Sequence, residues 1–363
     1  MNFIKLKSLD TLFFRTGRPF TMGEETWAEI VFPPFPSTLY GALRSFLIFQ
    51  RGTLTEFESG NFKNELGTLN EKGTLKIKGP LLLKDELLFP CPLDLVRDKS
   101  NKELQLLEFL SKPRLFISDY PLNNVLINKS IKNVDEPSGF LTSIELADYL
   151  QCKKDRYSSI EDSNLFVYEN KTGIARDRET LTSREGFLYR IPMVRLKEDV
   201  YLAVKVEGVR EFPASGVLQL GGEGKGASFE KTDDLFNSLR NIKLDFKNRF
   251  FKIYLATPAI FEKGWLPEWI NEKSFEGEYN GIKVKLVGCS IGRSLDVGGW
   301  DIAKKRHKPL LKAVPQGSVY YFKIMDGSDD EIIKTFHLQN ISDVNPEEGF
   351  GLSLVGGVKL CRK

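Results

Sequence analysis

Alternating hydrophobic and polar residues predict short strands along much of the chain. In residues 3–9, apolar side chains alternate with lysines, as in a strand that buries one face. Similar patterns predict strands at residues 249–258, 282–289 and 318–325, and two strands within residues 186–207. Because such strands occur in both halves of the chain, they indicate a coarse internal repeat.

Three helices are predicted between these strands. Prolines just before residue 37 exclude helix up to that point, and Ser37 or Thr38 can then cap a helix. Apolar residues follow at i, i+4, i+7 and i+8, which gives the helix one hydrophobic face, and Gly52 ends it. Shorter helices are predicted at residues 143–150 and after Asp329.

The repeat predicts two domains of similar construction. Each half begins with a strand, has a hairpin in its middle, and ends with a glycine-rich loop that leads into a last strand. The length of 363 residues also favours two domains, at ~150 residues each. We therefore predict an N-terminal domain at 1–240, with an insertion near 97–165, and a C-terminal domain at 241–363. The order of elements fits two α+β units of the β-α-β-β-α-β kind.

Composition narrows the classes of function. The 52 basic and 49 acidic residues leave a net charge of only +3, so any contact with nucleic acid must come from local basic patches. The four cysteines lie far apart, without metal-ligand spacing, so no metal or other cofactor is predicted and a reducing cytoplasm is expected. No stretch reaches the ~20 apolar residues of a membrane helix.

Two glycine clusters are candidate phosphate-binding loops. Glycine lets a phosphate approach the backbone closely and leaves N–H groups available to donate. Neither cluster has the spacing of a mononucleotide-binding motif. The alternative is that these glycines serve only a turn or the close packing of elements. The candidate residues are Gly221, Gly222, Gly224, Lys225 and Gly226 in the first cluster, and Gly349 and Gly351 in the second.

Two further segments carry clustered positive charge. Residues 171–190 interleave arginines with hydroxyl groups and a tyrosine, which suits phosphate contact and base stacking. The alternative is a solvated hairpin with internal ion pairs. Its candidate RNA-binding residues are Arg176, Arg178, Arg184 and Tyr189. A basic run near Trp300, with a neighbouring arginine, adds the candidates Arg293, Lys304, Lys305 and Arg306.

Catalytic chemistry has little support in the residue pattern. The chain has only two histidines, His307 in the basic run and His337 in a predicted strand. Neither has a nucleophile, carboxylate pair or cysteine nearby in sequence to act with it. We therefore predict no enzymatic activity. Histidine-dependent cleavage of precursor RNA, with partners distant in sequence, is the alternative.

An ordered set of strings resembles a known family. The strings include DTLFFRTGRPF, FPPFPSTLYGALRS, GIARDRETLTSREGFLYR, LGGEGKGA, YLATPAIFEKGWLP and GFGLSLVGG, in this order between residues 10 and 357. Together they resemble the third subunit of the Cmr complex, the RNA-guided effector of type III-B CRISPR antiviral defence. This subunit family belongs to the RAMP superfamily. Residues 97–165 contribute nothing to the resemblance.

The resemblance implies a fold, a role and partners. It implies two ferredoxin-like (RRM-like) domains with insertions, each with a glycine loop before its last strand. It also implies a non-catalytic subunit that holds the 5′ repeat-derived tag of the CRISPR RNA. Its protein partners would be the large palm-domain subunit and the first backbone subunit. Arg15, Arg18 and Arg44 would lie beside the RNA, and residues 176–190 would form a hairpin that reaches the tag. A RAMP endoribonuclease and a purely structural subunit are the alternatives.

Overall fold

The structure is a computed structural model that describes residues 2–17, 29–112, 118–129, 133–177, 179–180, 182–301 and 306–359. For residues 175, 183–188 and 301 it describes the backbone alone. The helices are α1 (Pro36–Arg51), α2 (Leu54–Glu58), α3 (Lys63–Leu66), α4 (Ser143–Leu150), α5 (Asn237–Arg240) and α6 (Asp329–Phe336). Short 3-10 turns are Asp162–Asn164, Lys247–Arg249 and Pro346–Glu348.

Strands make up most of the regular structure. The first thirteen are β1 (Asn2–Ser8), β2 (Lys76–Lys84), β3 (Glu86–Pro90), β4 (Leu95–Asp98), β5 (Leu104–Leu106), β6 (Glu108–Ser111), β7 (Asn124–Ile127), β8 (Val134–Asp135), β9 (Phe140–Thr142), β10 (Arg156–Tyr157), β11 (Phe166–Arg176), β12 (Ser183–Leu196) and β13 (Tyr201–Glu207). The others are β14 (Ser215–Gln219), β15 (Gly226–Thr232), β16 (Phe250–Leu255), β17 (Glu276–Tyr279), β18 (Ile282–Ser290), β19 (Leu295–Val297), β20 (Trp300–Asp301), β21 (Arg306–His307), β22 (Leu311–Ala313), β23 (Val319–Asp326), β24 (Gln339–Asn340) and β25 (Leu352–Gly357).

One compact unit, unit 1, comprises Met1–Lys84, Ser163–Asp233 and Asp296–Lys312. Its sheet has the spatial order β14-β15-β1-β13-β2, and every neighbouring pair is antiparallel. If β1, β2, β13 and β15 are counted in chain order, they lie in the order 4-1-3-2. Helix α1 connects the first and second of these strands. The long hairpin of β11 and β12 belongs to the same unit.

Helix α1 follows the prediction except at its first turn. It begins at Pro36, and its N-cap Phe35 makes no side-chain capping hydrogen bond, so the predicted cap by Ser37 or Thr38 is wrong. Proline fixes a helical φ at the first helical position, which starts the helix without a polar cap. The predicted end is confirmed, because the helix stops at Arg51 and the Gly52 N–H donates to the carbonyl of Ile48.

The predicted hydrophobic face of α1 is also confirmed. Leu39, Leu43 and Leu47 are fully buried, and their spacing puts them on one side of the helix. On the same side, the Phe46 ring meets the edge of the Phe229 ring of β15, with 5.1 Å between ring centroids. Helix α1 therefore covers one face of the sheet of unit 1.

The other compact unit, unit 2, comprises Asp85–Asp162, Asp234–Leu295 and Ala313–Lys363. Its largest sheet has the order β17-β18-β23-β16-β25-β24. Counted in chain order, β16, β18, β23 and β25 again lie in the order 4-1-3-2, and α6 connects the third and fourth. The core includes the stacked rings of Phe251 and Phe322, and Phe336 of α6 packs against them.

The remaining helix predictions are confirmed in unit 2. Helix α4 spans Ser143–Leu150 as predicted, and its N-cap Thr142 side chain accepts a hydrogen bond from the Glu145 N–H. Helix α6 begins at Asp329 as predicted, with Ser328 and Glu331 forming a reciprocal capping box. The predicted strand at His337 is wrong, because His337 is the C-cap of α6. Within the described ranges no helix is long and apolar enough to cross a membrane.

Candidate nucleic-acid interface

Residues 11–17, named here the hub segment, join three of the predicted site segments within unit 1. Leu12 pairs with Val194 of β12 through two backbone hydrogen bonds of 2.7 and 2.8 Å. The Phe13 carbonyl accepts a 2.9 Å hydrogen bond from the Gly222 N–H. The Gly17 N–H donates to the carbonyl of Asp296 at 3.3 Å. The hub segment therefore contacts the arginine-bearing hairpin, the first glycine cluster and the start of the stretch that holds the basic run, named here the basic segment (Asp296–Lys312).

The first glycine cluster forms the loop between β14 and β15, named here the glycine loop (residues 220–226). Gly221 has a φ of +80°, and a Cβ at this position would clash with the carbonyl oxygen of Phe13 and touch the Phe14 ring at 3.0 Å. Glycine is therefore required at 221 for the loop to pack on the hub segment.

The tip of the glycine loop faces solvent. Glu223 and Gly224 both have a positive φ, and the Lys225 N–H donates to the carbonyl of Gly222 at 3.3 Å, as in a type I′ turn. Residues 222–224 are exposed, and a Cβ on Gly224 would meet nothing within 4 Å. The tip can therefore approach a ligand closely, whereas Gly221 is used for internal packing.

Ion pairs surround the base of the glycine loop. Lys225 Nζ lies 2.7 Å from Asp10, and Arg195 of β12 lies 3.3 Å from the same carboxylate. The hydrogen bond from Lys225 lowers the pKa of Asp10 to about 2. Arg195 also donates to Glu169 of β11. Lys225 thus already holds a carboxylate, and a phosphate would have to replace Asp10 to bind it.

The arginine-bearing segment forms a long antiparallel hairpin of β11 and β12, named here the arm. At its tip, Asp177 accepts hydrogen bonds from the N–H groups of Glu179 and Thr180, and these bonds lower the pKa of Asp177. Arg176, beside the tip, is exposed. Tyr189 has a different position, because its ring covers Gly173 and packs beside the buried Phe13. It therefore supports the arm, and a stacking contact of Tyr189 with a base stays a prediction.

The basic segment contacts the hub segment through two glycines. A Cβ on Gly17 would lie 2.7 Å from the Gly298 nitrogen, so both backbones approach as only glycines allow. Beyond Gly298, the Trp300 ring is 53% exposed and meets His307 edge-on, with 4.9 Å between centroids. Arg306, the last arginine of the segment, is exposed, as is Arg15 of the hub segment.

Comparison with known proteins identifies the family of this chain. The sequence model of the CRISPR-associated protein (Cas_Cmr3) family matches residues 4–357. The chain belongs to the Cas_Cmr3 family. The predicted resemblance is thereby confirmed. No curated protein matches this Cas_Cmr3 member in sequence.

Solved structures show the fold that this Cas_Cmr3 member shares. It resembles a chain in the type III-B Cmr-beta complex bound to cognate target RNA and AMPPnP, with a TM-score of 0.51 and 18% identity over 88% of this chain and 86% of that chain. The complex bound to cognate target RNA gives a TM-score of 0.50 at the same identity and coverage. The shared fold is a mixed, sheet-rich α/β fold, so the α+β prediction is confirmed at this level.

Arg44 has an internal role in this Cas_Cmr3 member. Its Nε donates to the carbonyl of Leu66 at 2.7 Å, and its Nη2 donates to that of Thr68 at 2.5 Å. Its guanidinium also lies 5.1 Å from the centroid of the Phe57 ring. These contacts tie α1 to the loop that follows α3, and an additional contact of Arg44 with RNA stays a prediction.

The second glycine cluster is buried in unit 2. Gly349 has a φ of +101°, and its carbonyl accepts a 2.7 Å hydrogen bond from the Thr257 hydroxyl. Gly351 has a φ of +72°, and a Cβ there would lie 2.5 Å from the Ser342 nitrogen. RNA contact at Gly349 and Gly351 would require this loop to open, and it stays a prediction.

The remaining candidates lie in unit 2 or among residues whose side chains the structure does not describe. Arg293 is exposed in the loop after β18, in unit 2. Only the backbone of Arg184 is described, within β12. Four predicted contacts lie outside the described residues, namely Arg18, Arg178, Lys304 and Lys305.

The two histidines occupy very different environments. His337 is buried, its Nδ1 accepts from the Val355 N–H at 3.1 Å, and its Nε2 therefore carries the proton and donates to the carbonyl of Leu239 at 2.9 Å. Burial lowers the pKa of His337. His307 is exposed beside Trp300. Among the described residues, no three His, Cys, Asp or Glu side chains are grouped to hold a metal ion.

A buried polar cluster in unit 2 was missed by sequence reasoning. Asp94 is fully buried and accepts hydrogen bonds from the hydroxyls of Tyr149 and Tyr321. The buried Lys252 Nζ lies 3.7 Å from Asp94 and 3.3 Å from the centroid of the Tyr149 ring. Burial and the nearby carboxylate raise the pKa of both tyrosines well above 10. The cluster ties Asp94 and α4 to strands β16 and β23.

Proposed function

We propose that this chain is a non-catalytic, RNA-binding subunit of a type III-B CRISPR effector complex in the cytoplasm. In this role it binds the 5′ repeat-derived tag of the CRISPR RNA and docks on the large palm-domain subunit and the first backbone subunit. Membership of the Cas_Cmr3 family supports the assignment to CRISPR. The similar chains belong to Cmr-beta complexes bound to cognate target RNA, which supports a role in such an assembly.

The observation that carries the RNA-binding role is the convergence of three predicted segments on the hub segment. The exposed tip of the glycine loop offers close approach to a sugar-phosphate backbone. Exposed Arg15, Arg176 and Arg306 belong to the hub segment and to two segments that contact it. With a net charge of only +3, RNA binding would depend on exposed basic residues of this kind.

The same proposal includes two ferredoxin-like domains, at 1–240 and 241–363. The strands that form the pattern are β1, β2, β13 and β15 in the first domain and β16, β18, β23 and β25 in the second, although unit 2 also includes residues 85–162 and unit 1 also includes residues 296–312. Support comes from the sheet order 4-1-3-2, which both units have, with antiparallel neighbours. Each unit retains one connecting helix of the β-α-β-β-α-β pattern, α1 in unit 1 and α6 in unit 2. The order of strands is thus preserved although one helix of each pattern is replaced by other structure.

A non-catalytic role is favoured by the environment of His337. Both of its ring nitrogens are used by backbone groups, and its pKa is lowered by burial, so it is held neutral as part of the core. A general acid or base must instead reach a substrate proton. His307 is the remaining candidate for cleavage. Incubation of precursor RNA with the wild-type protein and with His307→Ala tests it, and cleavage by the wild type alone would support the endoribonuclease alternative.

The test of RNA binding compares two arginine variants with a matched control. Arg15→Ala and Arg176→Ala in the reconstituted complex should each weaken binding of tagged RNA by about 1–3 kcal/mol. Arg210→Ala is the control, because Arg210 is also an exposed arginine of unit 1. It follows the end of β13, which pairs with the start of β1, whereas the hub segment follows the end of β1.

Three outcomes would contradict the proposal. Equal affinity for tagged and untagged RNA would remove the tag-reading role. Unchanged affinity in both arginine variants would remove the hub segment and the tip of the arm from the RNA site. If the assembled complex gave no crosslinks between RNA and the glycine loop, the basic segments would be assigned to protein contacts and the subunit would be structural.

A further inference from the structure

The sheet of unit 1 has a second face that α1 does not cover. Side chains alternate between the faces of a strand, so Phe229 on the α1 side places Ser228 and Glu230 on the opposite side. The register of β1 against β15 sets Lys5 opposite Glu230 and Lys7 opposite Ser228. The uncovered face therefore carries both lysines of β1.

Among the residues that the structure describes, none covers this face over β1, β14 and β15. Val217 of the edge strand β14 is 60% exposed, and Lys7 is exposed as well. Phe3, farther along the same face of β1, is buried, so the open part is limited in area. A concavity of about 440 Å³ lies there, and its lining includes Lys5, Lys7, Tyr201, Val217 and Glu230.

An aromatic ring lies among these lysines on a central strand. Tyr201 begins β13, which together with β1 forms the middle of the 4-1-3-2 sheet, and it is half-buried. The Lys5 Nζ lies 5.1 Å from the centroid of the Tyr201 ring and 2.8 Å from Glu230. In RRM sheets, which have this strand order, aromatic side chains on the open face stack the bases of single-stranded RNA.

We propose that this open face binds one or two nucleotides of single-stranded RNA, separately from the hub segment. The base stacks on Tyr201, and Lys7 meets a phosphate. Lys5 exchanges Glu230 for the next phosphate, so the lining of the concavity offers two lysines and one carboxylate. The inference rests on the proposed RNA binding but uses different residues. RNA fits this face better than a protein does, because Val217 is the one strongly exposed hydrophobic residue among the lining residues.

The test uses the full-length chain and a fluorescent RNA of eight uridines containing 4-thiouridine. Crosslinks should map to the peptide that holds Tyr201, and Tyr201→Leu should abolish them and weaken binding about five- to hundredfold. Tyr201→Phe keeps the ring and should bind as the wild type does. Lys7→Ala should weaken binding and reduce the slope of log affinity against log salt concentration by about one. Lys231→Ala is the matched control, because Lys231 is exposed on the same strand as Glu230 but points to the other face.

The outcomes separate this inference from the proposed function. Crosslinks only at the hub segment, with Tyr201→Leu binding normally, would overturn the inference and leave the proposed function intact. If Tyr201→Leu released a protein subunit from the complex while RNA affinity stayed unchanged, the face would be a protein interface and the inference would be wrong. Failure of wild-type protein to bind any RNA, alone or in the complex, would overturn both. Thermal melting of each variant excludes loss of folding as the cause, and Lys7→Ala changes only an exposed side chain.

Discussion

Two glycines of the glycine loop both have a positive φ, but Gly221 packs against the hub segment and Gly224 faces open space. Replacing each by alanine therefore tests packing and RNA contact separately. Gly221→Ala places a Cβ against the carbonyl oxygen of Phe13 and 3.0 Å from the Phe14 ring. Gly224→Ala places its Cβ in open space. Because φ is +80° at Gly221 and +63° at Gly224, the backbone penalty for alanine is similar at both positions.

The expected costs follow from this comparison. Alanine in the left-handed region costs roughly 1–2 kcal/mol. At Gly221 the Phe13 carbonyl must also move, which breaks its hydrogen bond from the Gly222 N–H, worth about 1 kcal/mol. We therefore expect Gly221→Ala to lower the free energy of unfolding by about 2–4 kcal/mol. We expect Gly224→Ala to lower it by only about 1 kcal/mol. Its Cβ meets nothing, and the lower entropy of the unfolded chain with alanine offsets part of the backbone cost.

The two variants should behave differently toward RNA. Urea unfolding gives the stability of each variant, and fluorescence anisotropy with tagged guide RNA gives affinity under conditions in which both variants are folded. At Gly224 the added methyl group holds the RNA backbone away from the tip, so affinity should fall by about tenfold, or ~1.4 kcal/mol, with little change in stability. Unchanged affinity in Gly224→Ala would show that the loop serves packing alone. A neutral effect of Gly221→Ala on stability would refute the close approach to Phe13.

Two further predictions concern buried polar groups in unit 2. Asp94→Asn should lower the free energy of unfolding by about 3–5 kcal/mol, because it leaves the ammonium of Lys252 buried without its carboxylate. Combining it with Lys252→Met should cost less than the sum of the two single variants in urea unfolding, and strict additivity would contradict the ion pair. Because burial lowers the pKa of His337, the unfolded state binds the extra proton below a pH of about 6.5. Wild-type stability should therefore fall as the pH drops below that value, by at most about 1.4 kcal/mol per pH unit from this group, and His337→Gln should lack this component.

Local elements followed from the sequence because their determinants are close together along the chain. The apolar spacing in α1 and its stop at Gly52 depend on contacts within a few turns. The boundaries of α4 are set by the cap at Thr142 and those of α6 by the box at Ser328. The strand prediction at His337 was wrong because its N–H bonds the Ile333 carbonyl and closes α6, while its ring bonds Val355 and Leu239 from outside the helix.

The parts of the site that sequence did not predict depend on long-range pairing. The hub segment contacts Val194, Gly222 and Asp296, each about 180 or more residues away in the sequence. Asp94 lies between Leu93 and Leu95 in a short turn, yet its partners include Lys252 and Tyr321. Charge and hydropathy along the chain carry no signal for such partners. Only the resemblance to a family singled out Arg15 beforehand.

The two glycine clusters show why glycine content alone does not locate an RNA site. The property that lets RNA approach a backbone also lets another part of the same chain approach it. In unit 2 that space is filled from within, because Thr257 bonds both the Gly349 carbonyl and the Leu352 N–H, and Ser342 lies against Gly351. In unit 1 a Cβ at Gly221 or Gly222 would meet Phe13, whereas the space beside Gly224 is left open. Exposure at matching positions thus separates the two clusters, and it favours the loop whose tip remains open as the proposed RNA contact.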